Sequence, residues 1–138
     1  MFKILLFICA VSAVNCEIVR TAITLPPEIA FDIAKAIKEV CVPEDRVPDI
    51  IRMIREGETN NNTEFKKIIH CVIKEAKYMT ADGKRINVEK AASIFPNKVL
   101  MFKILSQCDK NIVTNDPEEY CIKFYDCFQE NTPYRLSF

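Results

Sequence analysis

The residues of this chain with the most versatile side-chain chemistry are its seven cysteines and its one histidine, His70. Thiolates and imidazoles are the usual ligands of structural zinc, and such ligands typically occur in close pairs along the sequence. No two cysteines here are separated by only two residues, and one histidine cannot supply a second pair. We therefore expect no metal site, and nothing in the sequence indicates another cofactor.

The N-terminal segment has the composition of a targeting signal. Lys3 supplies a positive charge, residues 4–11 form an apolar run, and Val14 and Cys16 suit the small-residue positions before a cleavage site. This pattern predicts a secretory signal peptide over residues 1–16, cleaved after Cys16. Ser12 and Asn15 interrupt the apolar run before it reaches the roughly 20 residues that a membrane span needs.

Cleavage at that point leaves a mature chain of residues 17–138, the size of one domain. Removing Lys3 leaves 18 basic side chains against 19 acidic ones. A nucleic-acid-binding protein usually carries a concentrated basic patch, which this balance does not favour. We expect a secreted, extracellular protein with no nucleic-acid partner and no membrane insertion.

Five cysteines remain in the mature chain. In an oxidising compartment an odd number implies at most two internal disulfides and one leftover thiol. The sequence alone leaves the pairing open. The five are Cys41, Cys71, Cys108, Cys121 and Cys127.

Hydrophobic periodicity predicts an all-α fold, a compact bundle of about six short helices. The clearest pattern lies in residues 63–79, where apolar residues follow helical spacing i, i+3, i+4, i+7, i+8. A stripe of this width must be buried against other elements, so we expect a central helix here. The stripe consists of Phe65, Ile68, Ile69, Val72, Ile73 and Ala76.

Five other segments carry helix boundary signals. Proline favours a first helical turn, whereas Asn and Asp are effective N-caps and glycine commonly follows a C-terminus. No segment shows a convincing strand pattern. The predicted helices begin near Pro26, Pro48, Asn87, Asn97 and Asp116, and the first two end at Cys41 and before Gly57.

A polar loop precedes the central helix. It contains the sequon Asn61-Asn62-Thr63, so Asn61 is a candidate for N-glycosylation in a secreted protein. The sequence leaves its occupancy open.

The helical pattern, the signal peptide and the cysteine spacing together resemble the insect odorant-binding proteins, the pheromone and general odorant-binding family, over residues 24–130. The family motif has six cysteines, with three residues between the second and third and eight between the fifth and sixth. Here the second and fifth positions hold Lys67 and Glu118, as in the minus-C subgroup. The first, third, fourth and sixth positions hold Cys41, Cys71, Cys108 and Cys127.

The resemblance implies the disulfides Cys41–Cys71 and Cys108–Cys127. It leaves Cys121 without a partner, either as a buried inert thiol or as an intermolecular bridge. Because Lys67 and Glu118 occupy the positions of a bonded pair and have opposite charges, we predict an ion pair between them. Such a surface pair would orient the two helices without replacing the bond.

The same resemblance implies a carrier that encloses small hydrophobic ligands such as odorants, pheromones or lipids in an apolar cavity, with possible delivery to olfactory receptors. The sequence leaves the ligand and the oligomeric state open, and core packing is the alternative role for each candidate wall residue. The candidates are Phe65, Ile69, Val72, Ile73, Phe95, Leu100, Met101, Ile104, Leu105, Phe124 and Phe128.

Release of the ligand would need a second step. In the family this step can involve acid-driven loosening of helices or of the C-terminal tail. His70 is a candidate switch, although a lone helical histidine is more often a bystander. Tyr134, Leu136 and Phe138 in the tail could fold over the cavity mouth.

Two other classes compete with the carrier. A small secreted enzyme of the phospholipase type would need a glycine-rich calcium loop and paired cysteines before the histidine, and this sequence has neither. It also lacks the G-x-S-x-G motif of serine hydrolases. We therefore expect no enzymatic activity. The remaining alternative is a secreted effector on the same scaffold that acts on a protein partner.

Overall fold

The computed structural model describes residues 20–58 and 62–137, which form six α-helices and a small sheet. This confirms the predicted all-α bundle of six short helices. The predicted signal peptide, Asn61 and Phe138 lie outside the described residues. In chain order the elements are β1 (Thr21–Thr24), α1 (Pro27–Lys35) with a π-helical continuation (Ala36–Cys41), a 3-10 turn (Glu44–Arg46), α2 (Val47–Glu56), α3 (Thr63–Glu75), α4 (Val88–Ala92), α5 (Lys98–Asn111), α6 (Pro117–Asn131) and β2 (Tyr134–Ser137).

The predicted helix starts are confirmed by side-chain caps. The Oδ1 atoms of Asn87 and Asn97 each accept a hydrogen bond at 3.1 Å from the backbone N–H three residues ahead. Asp116 accepts one at 3.0 Å from the N–H two residues ahead. These bonds satisfy donors that a helix leaves unpaired at its N-terminus, which fixes where α4, α5 and α6 begin.

The central helix α3 is shorter than residues 63–79, because it ends at Glu75. Lys77 adopts a left-handed conformation, with φ of 65°. The N–H of Tyr78 then bonds to the carbonyl of Ile73 at 3.0 Å, and the N–H of Lys77 to that of Lys74 at 3.0 Å. This is a Schellman C-terminus, usually marked by glycine. The sequence has lysine there, so the usual signal was missing.

The expectation of no strand was wrong. β1 and β2 pair in parallel, with Ile23 opposite Leu136 and Thr21 opposite Tyr134. Each strand has only four residues, too few to show a period of two reliably. The strands join the two ends of the described chain, and local sequence signals do not encode such a long-range pairing.

Two disulfides connect the helices, and both predicted pairs are confirmed. Cys41–Cys71 links the π-helical end of α1 to the middle of α3, and Cys108–Cys127 links α5 to α6. In the chain-entropy model, closing loops of these lengths stabilises the fold by about 3 to 4 kcal/mol each. The disulfides therefore fix the helices that surround the core.

The prediction of an ion pair between Lys67 and Glu118 was wrong. Lys66 pairs with Glu119, whereas no ion pair joins Lys67 to Glu118. Lys67 is exposed, because it lies on the far side of α3 from the buried Phe65, Ile68 and Ile69. The charged side chains that do meet across the two helices lie one position before Lys67 and one position after Glu118.

Candidate functional site

An apolar cavity of about 170 Å³ lies between α1, α3, α4, α5, α6 and β2. Helix α6 contributes three of its wall residues, and the segment from the end of α3 to α4 contributes several more. Every side chain in the wall is aliphatic or aromatic. The lining residues are Ile33, Val72, Ile73, Ala76, Tyr78, Ile86, Ala91, Ile94, Phe95, Leu105, Phe124, Tyr125, Phe128 and Leu136.

One side of the cavity is a stack of aromatic rings centred on Phe95. Its ring lies 5.7 Å from that of Tyr134, at an interplanar angle of 20°, and 5.8 Å from that of Phe128. Phe95 itself follows α4, Phe128 is on α6 and Tyr134 begins β2. Aromatic pairs at this spacing attract each other beyond their burial. The tail strand is thus attached to the cavity wall, and Leu136 of the same strand lines it.

The hydroxyl of Tyr125 bonds to protein rather than facing the cavity. It donates to the backbone carbonyl of Glu58 at 3.1 Å, while the Tyr125 ring packs edge-on against Phe65 at 5.6 Å. Burial raises the pKa of Tyr125, so the phenol stays neutral at physiological pH.

Tyr78 lies in a different part of the wall. Burial is the main cause that raises the pKa of Tyr78, and the ammonium of Lys90 lies 4.7 Å from its ring centroid. The Lys90 ammonium also donates to the Lys77 carbonyl at 2.6 Å. The Lys77 carbonyl and the Tyr78 ring therefore hold the Lys90 ammonium at the exposed side of this wall.

Six of the eleven wall residues expected from sequence line this cavity. They come from α3, α5, α6 and the segment after α4, which the fold brings together. The six are Val72, Ile73, Phe95, Leu105, Phe124 and Phe128.

The other five lie elsewhere. Phe65, Ile69 and Met101 are buried in the core and do not line the cavity. Leu100 and Ile104 line a separate groove on the surface beside the Cys108–Cys127 disulfide. Helical periodicity identifies which side a residue faces, but it does not separate a cavity wall from the solid core around it.

Eight wall residues were not among the eleven predicted from the sequence, although one of them, Leu136, was predicted in the tail over the cavity mouth. Ile33 and Leu136 belong to the two ends of the chain, and Tyr78 and Ile86 flank the turn after α3. Ala76 was seen only as part of the α3 stripe. Two sequence signals could have identified some of them. The apolar stripe on α1 includes Ile33, and Tyr134 and Leu136 alternate with polar residues in the tail. The eight are Ile33, Ala76, Tyr78, Ile86, Ala91, Ile94, Tyr125 and Leu136.

Cys121 is a free thiol with no exposed surface. Its Sγ lies 3.8 Å from the sulfur of Met79, and burial raises the pKa of Cys121 to about 12. A protonated, enclosed thiol is a poor nucleophile. This environment supports the interpretation of Cys121 as an inert thiol rather than an intermolecular bridge.

Residues 20–58 and 62–137 contain no cluster of three or more His, Cys, Asp or Glu side chains that could hold a metal ion. Within these ranges no helix has the length and apolar character needed to cross a bilayer. His70 is half-buried on α3 and is not part of the cavity wall.

The sequence of this chain matches a protein-family model. The sequence model of the PBP/GOBP family matches residues 28–131, which includes all six helices except the first residue of α1. No curated protein matches the chain significantly, and no solved structure does.

Proposed function

The chain belongs to the PBP/GOBP family, and from this and the cavity we propose that it carries small hydrophobic ligands through an extracellular aqueous fluid. Members of the family are binding proteins. The observation that carries the proposal is the wholly apolar wall contributed by five helices and the tail strand. Ligand-binding pockets in proteins are predominantly apolar and are typically enclosed by several elements.

The driving force for binding is removal of apolar ligand surface from water, at roughly 25 cal/mol per Å². Because the wall consists of apolar side chains, the cavity selects among ligands by their size and shape. An apolar cavity of about 150 Å³ can hold benzene. The cavity of about 170 Å³ therefore suits compact volatile molecules, such as substituted aromatics or small terpenoids, when the walls do not move.

Secretion is part of the proposal. Residues 1–16 act as a signal peptide, and the mature chain begins near Glu17. The two disulfides support this, since such bonds persist mainly in oxidising compartments. N-terminal sequencing of protein recovered from the medium of secreting cells should begin within a few residues of Glu17.

Delivery of odorants or pheromones to olfactory receptors is the more specific form of this role. It follows from the family and from the fit of the cavity to volatile compounds. Measuring whether the transcript is expressed in chemosensory tissue would test this olfactory role.

The test is a displacement assay on the mature chain with N-phenyl-1-naphthylamine as the fluorescent probe, together with calorimetry for ligands too small to displace it. We expect compact aromatics and terpenoids to bind with micromolar dissociation constants. If no apolar compound binds at micromolar concentration, the carrier function is wrong and a protein-directed effector becomes the better account.

A further inference from the structure

Helix α5 exposes apolar side chains on the face opposite the core. Val99 is 83% exposed, Phe102 48% and Leu100 38%. The buried side of the same helix is already filled by Met101, Leu105 and Cys108. The exposed residues are therefore not needed for the core. We call the exposed side the α5 outer face and define it by Lys98, Val99, Leu100, Phe102, Lys103, Gln107 and Lys110.

The charge on this face is entirely positive. Lys98, Lys103 and Lys110 are exposed, and none of them forms an ion pair with an acidic residue in the described ranges. The one acidic residue of α5, Asp109, is directed away from the face. Its carboxylate accepts hydrogen bonds from Arg85 at 2.9 Å and from the Tyr120 hydroxyl at 2.5 Å.

Shallow grooves flank the helix on both sides. One lies between α5 and α4, where Glu89 stands across from Val99 and Phe102. The other lies between α5 and α6 and is lined by Leu100 and Ile104. Helix α5 is therefore a convex ridge with apolar flanks and lysines along it.

We propose that the α5 outer face binds the surface of anionic lipid bilayers. Helices that adsorb at a bilayer interface combine exposed apolar side chains with lysines, and each lysine near an anionic surface adds to the attraction. Lysine side chains are long enough to reach phosphate groups while the apolar residues enter the headgroup region. The contact is peripheral and needs no membrane-spanning segment.

A second copy of the chain is a poorer occupant. In a two-fold contact the same face meets itself, so the three lysines of each copy would be brought together. A bilayer that contains anionic lipids carries the opposite charge.

The exposed apolar residues of α1 provide a contrast within the molecule. Phe31 and Val40 are also exposed. The charge around them is mixed, because the carboxylates of Glu28, Asp32 and Glu39 share that helix with the exposed Lys35 and Lys38. An anionic bilayer would repel these carboxylates. The α5 face thus combines exposed apolar side chains with net positive charge, since its three lysines outnumber the one carboxylate at its edge, Glu89.

The proposal is independent of ligand binding in the cavity. Leu105 is the residue of α5 that lines the cavity, and it lies on the buried side of the helix. Substitutions on the outer face should leave the affinity for cavity ligands unchanged. Failure of one proposal would therefore leave the other standing.

The test is co-sedimentation of the mature chain with vesicles of phosphatidylcholine alone or mixed with phosphatidylserine. Two triple variants carry the same loss of charge, Lys98→Gln/Lys103→Gln/Lys110→Gln on the face and Lys38→Gln/Lys67→Gln/Lys84→Gln at exposed positions elsewhere. A third variant, Val99→Ser/Phe102→Ser, removes apolar contact. Circular dichroism and probe binding verify that each variant is folded.

The wild-type chain should sediment with the anionic vesicles and much less with phosphatidylcholine alone. The face variant should lose about fivefold in partitioning for each lysine removed, and the apolar variant should also bind more weakly. The control triple should remain close to wild type. Absence of wild-type binding to anionic vesicles, or equal losses in the two lysine triples, would overturn the proposal.

Discussion

At the scale of single residues, replacing Gly57 should destabilise the fold. It ends α2 with φ of 70°, and a Cβ added there would lie 2.7 Å from Oε1 of Gln129, to which Arg20 donates at 3.2 Å. Gly57→Ala should lower the free energy of unfolding by somewhat more than about 1 kcal/mol, because the backbone strain is joined by the shift that the Gln129 side chain must make.

Gly83 is the matched control. It has the same φ of 70°, but no atom lies within 4 Å of an added Cβ. Gly83→Ala should therefore cost only the backbone strain, about 1 kcal/mol. Urea unfolding of both variants measures the difference, and equal losses would show that the contact with Gln129 is unimportant.

The buried thiol of Cys121 predicts a dependence on alkaline pH. Burial raises its pKa from 9.0 to about 12 in the folded state. The thiol is protonated in both states below pH 9, so its full contribution to stability is present there. Between pH 9 and about 12 the unfolded chain releases the proton first, and that contribution is lost.

The wild-type chain should therefore lose more free energy of unfolding over this pH range than Cys121→Ala does. At pH 8 iodoacetamide should label Cys121 only after urea unfolds the protein. Rapid labelling of the native chain would contradict the buried position of the thiol.

Residue-level signals explain much of what the sequence predicted. Asn87, Asn97 and Asp116 fixed helix starts because an N-cap acts through its own side chain on adjacent backbone. At Lys77, in contrast, the structure has a feature that no local sequence signal predicted. Its left-handed conformation is imposed by bonds to α3 carbonyls, and lysine carries no local preference for it.

At the scale of secondary-structure elements, the β1–β2 pair makes the tail part of the cavity wall. Alternate residues of β2 face opposite directions. Leu136 accordingly lines the cavity, while Arg135 is exposed. Leu136→Ala should weaken probe binding roughly threefold to tenfold because apolar contact is lost.

Arg135→Ala serves as the control for that variant and should bind the probe with unchanged affinity. Fluorescence titration of both proteins measures the contrast. If the two variants bind equally well, the tail strand does not contribute to the ligand site.

The ion pair between Lys66 and Glu119 should stabilise the contact between α3 and α6. The Lys66 side chain holds the pKa of Glu119 below its usual value, and Glu119 raises that of Lys66. A double-mutant cycle of Lys66→Ala and Glu119→Ala should give a favourable coupling free energy that disappears as acid protonates Glu119.

The parallel cycle of Lys67→Ala and Glu118→Ala should give no coupling, because these side chains form no ion pair with each other. Urea unfolding of the seven proteins, wild type and six variants, at neutral pH supplies both values. If the coupling free energy between Lys67 and Glu118 is the larger of the two, the ion pair predicted from the cysteine motif is the correct one.

At the scale of the whole molecule, the helix count, the family and the disulfides could be predicted because each depends on patterns along the chain. The cavity could be predicted only in part. Val72 and Phe124 were identified from stripes on their helices, but Ile33 and Leu136 enter the wall through packing between distant segments. Met101 follows the same helical pattern as Leu105, yet it fills solid core.

The central claim is that ligands bind inside the cavity, and a cavity-filling substitution tests it most directly. Ala91 is a half-buried wall residue on α4, whereas Ala30 is half-buried on α1 outside the wall. Calorimetric titration of a compact aromatic ligand into wild type, Ala91→Phe and Ala30→Phe compares the two positions.

We predict that Ala91→Phe weakens binding at least about tenfold, since its ring occupies the ligand's space. Ala30→Phe should bind like wild type, and binding to wild type should show the negative heat-capacity change of apolar burial. Unchanged affinity in a folded Ala91→Phe protein would contradict the account.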